Sequence, residues 1–316
     1  MGKHIVLTGA TGFVGNAVAH ALIQQGETLT CISRRSLTWD APQLRQVLIS
    51  DLGPETDWSP SLQDADVVIH CAARVHVMHE SAKDPLEIFR RVNVDATMHL
   101  ARQAVSAGVR QFVYLSSVKV NGEATEPGHP FTENDAAKPQ DAYGISKLEA
   151  ELALLALGES SGMHVTIIRP PLVYGPGVKA NFLSMLHWVK KGIPLPLGSI
   201  HNQRSFVFLD NLVSLILCSL RHPAAAQQVF LVSDGHDLST SELLRLCAQA
   251  LDVPARLLPF PAPLLQWLAR LAGKQSAADR LCQSLQVDIS KAKKILGWTP
   301  PFSVEQGLRQ TAQSLL

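Results

Sequence analysis

Short apolar runs alternate with stretches of helical period over the first half of the chain. Lys3 to Thr8 reads as a strand, Val14, Val18, Ala21 and Leu22 recur at helical spacing up to Gly26, and Thr28 to Ile32 reads as a second strand. Further strands are predicted at Val47 to Ile49, Val67 to Ile69, Phe112 to Leu115 and Val165 to Ile168. The helices between them are predicted over Pro85 to Ala107, stopped by Gly108, and over Tyr143 to Leu157, stopped by Gly158. Such alternation predicts an α/β fold built on a doubly wound parallel sheet, with ligands at the carboxyl ends of its strands.

After Pro170-Pro171 the winding lapses into a segment dense in proline and glycine, among them Gly175-Pro176-Gly177, Pro194, Pro196 and Gly198. A strand at Gln228 to Val232 is expected to return to the main sheet. Helical segments at Thr240 to Leu251 and Pro263 to Leu271 are expected to build a smaller, discontinuous lobe. The resulting division is a dinucleotide-type domain at 1–170 plus about 205–235, and a second lobe at 171–204 plus about 236–316. Pro259 to Pro263 reads as a rigid connector. The apolar stretch Leu264 to Leu271 has the composition to lie on a membrane, and packing within the small lobe is the preferred use.

Two motifs carry chemistry. Gly9, Gly12 and Gly15 join the first strand to the first helix, so the turn is tight, backbone N–H groups can approach a pyrophosphate, and helix and sheet can pack closely. Tyr143 and Lys147 stand one helical turn apart on one face, with Ser116-Ser117 ending a strand upstream. A phenol of ordinary pKa about 10 does little proton chemistry at neutral pH, but an ammonium beside it favours the phenolate, and a serine hydroxyl can share the same substrate oxygen. Next to a nicotinamide, these side chains suit moving a hydride and a proton at a C–OH/C=O carbon.

Composition narrows the field. A formal charge of +1 with 17% charged residues gives no electrostatic case for nucleic acid. The longest apolar run, Phe206 to Leu220, is broken by Asp210 and Asn211, so no membrane span is expected. The first strand begins within four residues of Met1, and five scattered cysteines show no CxxC pairing; both suit a reduced, cytoplasmic protein. His76 and His79 could share a helix face, yet nothing completes a metal-ligand set, and no metal is expected.

Over essentially its whole length the chain resembles the extended short-chain dehydrogenase/reductases, in the branch acting on nucleotide-linked sugars. The resemblance is carried by Gly9 to Gly15, Asp51-Leu52, His70 to Ala73, Asn93-Val94, Ser116-Ser117, Tyr143 to Lys147 and Arg169-Pro170 through Pro176. Arg204 to Val207 with Asp210, and Leu296 to Pro300, continue it. It implies a Rossmann-like fold, a UDP-sugar substrate and a homodimer through the Pro85 and Tyr143 helices. Catalysis falls to Ser117, Tyr143 and Lys147, with Lys147 also lowering the tyrosine pKa. The cofactor falls to Gly9, Thr11, Gly12, Phe13, Val14, Gly15, Ser33, Arg34, Arg35, Asp51, Leu52, Cys71, Ala72, Ala73, Asn93 and Pro170, with Tyr143 and Lys147. Substrate contacts fall to Ser116, Ser117, Lys119, Asn181, Phe182, Arg204 and Arg280.

Within that branch the chain looks most like bacterial reductases of a UDP-linked 4-keto-6-deoxy-N-acetylhexosamine, which serve O-antigen synthesis. UDP-glucose or UDP-N-acetylglucosamine 4-epimerases with tightly bound NAD are the alternative, and a non-catalytic NADP(H)-sensing scaffold is a distant third. Two departures weigh in. Ser117 is followed by Val118 and Lys119, not by the Asp-Glu pair of the related dehydratases, which disfavours dehydration. The second strand ends in Ser33-Arg34-Arg35 without the aspartate that accepts a ribose 2′-OH; guanidinium groups suit a 2′-phosphate, so NADP(H) is favoured over NAD(H).

Overall fold

The computed structural model describes residues 2–75, 84–126, 128–273 and 275–315. His76 and His79 lie outside them. The described strands are β1 (His4–Thr8), β2 (Thr28–Ser33), β3 (Leu44–Leu48), β4 (Val67–His70), β5 (Gln111–Leu115), β6 (His164–Arg169), β7 (Leu172–Tyr174), β8 (Phe206–Phe208) and β9 (Gln228–Leu231). Seven make a parallel sheet in the order β3-β2-β1-β4-β5-β6-β9, and β7 pairs with β8 apart from it. The chain is α/β and doubly wound, as its alternating pattern predicts.

Both faces of the sheet are covered, which is why its strands are apolar runs rather than alternating ones. Helix α1 (Phe13–Gln24) packs on one face, and α2 (Ser59–Leu62), α3 (Pro85–Arg90), α4 (Ala96–Ser106) and α5 (Ala142–Ser161) lie toward the other. Leu100, Ala104, Ala150 and Leu154 fill the α4–α5 side, against Val68, Phe112 and Val165. After α6 (Ala180–Lys190), helix α7 (Leu209–Arg221) joins α1, with Leu212 and Ile216 in the same core as Val18 and Leu22. A third core, around Tyr174, Phe182, Phe208 and Leu244, unites α6 with α8 (Thr240–Ala250) and, beyond α9 (Ala262–Leu271), α10 (Gln275–Cys282) and α11 (Ser290–Leu296), with α12 (Val304–Gln313).

Three local differences from the sequence reading have physical causes. The helix expected over Pro85 to Ala107 is split by a π-helical segment, Arg91–Asp95, between α3 and α4. Such a wide turn re-aims a side chain, here the buried Asn93. Helix α5 runs through Gly158 and stops at Gly162, whose φ is 78°. Gly158 serves packing instead: a Cβ there would sit 2.6 Å from Gln227 Oε1 and 2.8 Å from Val165 Cγ2. The Leu264 to Leu271 stretch does form a helix, but no residue of α9 is buried, against the expectation that it packs inside the lobe.

Candidate active site

Strand order reverses between β1 and β4, and in such sheets the crevice beyond the carboxyl ends at that point receives ligands. Thr8 is in register with His70, so the glycine turn and Cys71-Ala72-Ala73 leave the sheet side by side. His70 is sealed beneath them, its Nδ1 at 2.7 Å from Thr8 Oγ1 and its Nε2 at 3.0 Å from Thr97 Oγ1. Burial, and then the nearby Lys147, pull its pKa down to about 3, so it pins the two strands as a neutral ring. Gly9 has φ 79°, and a Cβ there would lie 2.7 Å from the Ala72 nitrogen; one on Gly15 would collide with the Gly9 carbonyl. Gly12 caps α1 without a side-chain hydrogen bond, and the first turn of that helix holds no acid, leaving N–H groups for an anion.

A cavity of about 1400 Å³ opens above this junction. Gly9, Thr11, Gly12, Phe13, Val14, Gly15, Ser33, Arg34, Asp51, Leu52, Cys71, Ala72, Ala73, Ser116, Tyr143 and Lys147 all line it. Four residues expected at the cofactor or in catalysis do not. Arg35 is exposed outside the lining, its carbonyl taking the Ser33 hydroxyl at 2.6 Å. Pro170 is buried, and its carbonyl accepts from Val118 N at 3.0 Å. Asn93 lies under the site, accepting from Arg74 N at 2.8 Å and donating to Ser146 Oγ at 3.0 Å. Ser117 caps the 3-10 turn Val118–Val120 and accepts from Lys119 N at 3.3 Å.

Tyr143 and Lys147 stand on α5, whose start is fixed by Asp141 accepting from Gly144 N at 2.7 Å. The Tyr143 ring meets the edge of Phe89, centroids 6.1 Å apart. Burial, then Asp141, push its phenol above the usual value, while a hydrogen bond with Ser117 draws it back. The lowering expected from Lys147 is therefore not what dominates. The Lys147 ammonium points to Leu115 O at 2.8 Å and Tyr114 Oη at 3.2 Å, and burial pulls its pKa down to about 7 against Glu151 and Cys71.

Two residues expected at the substrate have polar side-chain groups engaged within the protein. Ser116 spends its hydroxyl on the buried carboxylate of Glu151. Glu151 in turn accepts from Arg169 Nε at 3.0 Å, and Arg169 Nη1 donates to Asn121 Oδ1 at 3.0 Å. Lys119 is committed to Glu123 at 2.8 Å and Asp141 at 2.5 Å, so it neither reaches the cavity nor extends freely to solvent. Burial alone would lower its pKa, but the two carboxylates win and hold it above the ordinary lysine value.

Farther out, Phe182 is core rather than pocket, stacked on Tyr174 with centroids 5.5 Å apart, while its neighbour Asn181 is exposed. Arg204 bridges Leu238 and Leu285 through its backbone and donates from Nη1 to Gln283 O at 2.9 Å. Burial, then Arg280, lower its pKa while Glu123 opposes them, so the two arginines are near enough to feel each other. No group of three or more His, Cys, Asp or Glu among the described residues could hold a metal ion. Sequence reasoning missed Glu151 and Tyr114. Glu151 was findable, one turn beyond Lys147 and two beyond Tyr143 on the same face; Tyr114 inside a strand carried no signal of its own.

Residues 5–233 match the model of the NAD dependent epimerase/dehydratase family. The chain belongs to that family. It is an enzyme of the extended short-chain dehydrogenase/reductase type within it. It is 49% identical over 318 residues to a UDP-glucose 4-epimerase of Vibrio cholerae, covering all of this chain and 96% of the relative. Among solved structures, MoeE5 in complex with UDP-glucose and NAD superposes with a TM-score of 0.80 at 23% identity, covering 99% and 98% of the two chains. A UDP-glucose 4-epimerase of Thermotoga maritima with UDP-glucose gives 0.78 at 22% identity, covering 99% and 98%. These two likenesses are to the fold. The expected net reduction of a 4-keto-6-deoxy sugar is overturned by the 49% relative, a family member named for 4-epimerisation and matched end to end.

Proposed function

We propose that this family member interconverts the C4 epimers of a UDP-linked hexose or N-acetylhexosamine. The observation carrying the proposal is the full-length 49% identity to a UDP-glucose 4-epimerase, in a chain whose Tyr143 and Lys147 line one cavity with the glycine turn. The bare N–H groups of the first turn of α1, and the closeness that Gly9 and Gly15 permit, fit a dinucleotide pyrophosphate. Arg34 and Asp51, which line the same cavity, are assigned to its adenosine ribose and adenine.

NAD, when bound, supplies a reversible hydride acceptor for the sugar C4. Tyr143 takes the 4-hydroxyl proton and gives it back, with Ser117 sharing the same oxygen. Lys147, with a pKa of about 7, can hold or release a proton at neutral pH beside that phenol. Inversion then requires the 4-keto sugar to present its other face before the hydride returns. Such a cycle consumes no reductant, which removes one ground for expecting NADP(H). The other, Arg34 with Arg35, is weakened because only Arg34 lines the cavity. A homodimer through α3 and α5 belongs to the same proposal, supported by the outward Leu152 on α5, 60% exposed.

Incubation of the purified protein with UDP-glucose, and separately with UDP-N-acetylglucosamine, is expected to give the 4-epimer by NMR with no reductant added. Formation of product only when NADPH is consumed would sink the epimerase reading. We further assign Arg204 and Arg280 to the substrate pyrophosphate. Arg204→Ala is then expected to weaken free UDP by about 10²-fold in calorimetry and to leave NAD binding unchanged, because a diphosphate loses a charged partner in a cleft. Equal UDP affinity in the two proteins would place Arg204 elsewhere.

A further inference from the structure

Helix α9 presents a stripe that the fold does not use. Leu264, Trp267, Leu268 and Leu271 follow the i, i+3, i+4, i+7 spacing of one helix face, and they are 43, 55, 43 and 69% exposed. The apolar surface continues beside the helix. Residues 195–199 pair with 257–261 through the bridges Leu195–Leu257 and Ser199–Pro261, and outward Leu258 and Ile193 lie along this ribbon. Exposed Trp188 sits at the end of α6, just before it.

Charge is segregated onto the same part of the molecule. Leaving aside Arg204 and Arg280, assigned to the substrate cleft, residues 179–204 and 253–283 carry six Lys or Arg and one acid, Asp279, in a chain that totals 28 basic and 27 acidic residues. Arg256 flanks the ribbon, its guanidinium beside Gly192, and exposed Arg270 lies next to Leu271 at the end of the stripe. Leucine and tryptophan in one stripe, with arginine and lysine around them, is the composition of a helix lying in a lipid headgroup layer. Ten residues make about 15 Å of helix, too short to span a bilayer of about 30 Å.

We propose that this face docks on an anionic bilayer, with the α9 stripe among the acyl chains and Arg256, Arg270 and Lys191 against lipid phosphates. A second copy fits less well, because a two-fold contact would set this basic face against its own like charges. Nucleic acid would satisfy the arginines but leave the leucines in water. The docking claim goes beyond the proposed epimerisation and stands independently of it.

The test is co-sedimentation of the full chain with vesicles of phosphatidylglycerol and phosphatidylethanolamine, and with phosphatidylcholine vesicles. Binding to the anionic vesicles is expected to be at least about tenfold tighter and to weaken as salt is raised. Trp267→Glu with Leu271→Glu, and separately Arg256→Glu with Arg270→Glu, should each reduce that binding by at least about tenfold. Both variants should keep the melting temperature and the turnover of soluble UDP-glucose. A wild type that stays in the supernatant with anionic vesicles overturns the proposal, as does equal binding by wild type and both variants. It is equally overturned if sedimentation velocity shows either variant dissociating a wild-type oligomer, since the stripe would then be covered by protein.

Discussion

Tyr143→Phe should lower epimerisation by about 10²-fold or more while NAD still binds. The ring stays, so its edge contact with Phe89 and the start of α5 are kept; only the hydroxyl is lost. A positioned general acid–base group contributes about 10²–10⁴-fold, and no other side chain lining the cavity next to the Lys147 ammonium is a phenol. Burial already holds this phenol above its ordinary value, so it does not ionise unaided at neutral pH. The Ser117 hydrogen bond draws it back, and Lys147 Nζ lies 5.9 Å from the ring centroid, close enough for the protonated lysine to favour the phenolate. Initial rates at saturating UDP-sugar, with a parallel cofactor titration, decide the matter. A variant turning over at the wild-type rate would remove Tyr143 from the chemistry.

The cofactor side was far more legible in the sequence than the substrate side, and the difference is physical. A pyrophosphate contact is made by backbone N–H groups, so its signature is local: three glycines at fixed spacing between a strand and a helix. Tyr143 and Lys147 share a helix face, which is again local. Arg204, by contrast, is placed by bridges to Leu238 and Leu285, and Phe182 is taken into a core with Phe208 and Leu244, both fixed by partners distant in sequence. The two serines show the same limit at finer grain. Ser116 and Ser117 look interchangeable as a dipeptide, yet consecutive residues of an extended chain face opposite ways. One is claimed by Glu151 below, and the other remains hydrogen-bonded with Tyr143. The reaction type was least legible. Reduction and epimerisation ask the same tyrosine, lysine and serine for the same proton transfer, and differ in whether the hydride is returned. Nothing in that constellation records the difference.

Arg169→Met should destabilise the protein by about 3–5 kcal/mol, with no need for Arg169 to touch a ligand. Its side chain is 7% exposed and that of Glu151 is 2%, so the pair is held without water. Removing one member of such a pair strands the other as an uncompensated charge, which costs about that much. Glu151 would keep Ser116 as a donor, but a neutral hydroxyl does not replace a guanidinium. At roughly 2–4 °C per kcal/mol, the melting temperature should fall by more than about 5 °C. The double variant Glu151→Leu with Arg169→Met should recover much of that loss, because replacing both charges with apolar groups removes their desolvation penalty as well. Its turnover should nevertheless stay low: Glu151 is what holds Ser116, and Ser117 follows it directly. Thermal melts of the three proteins beside their rates separate the two roles. A single variant that melts with the wild type would show that the buried pair does not anchor β6 to α5, and a double variant with full turnover would show that Ser117 is held without Glu151.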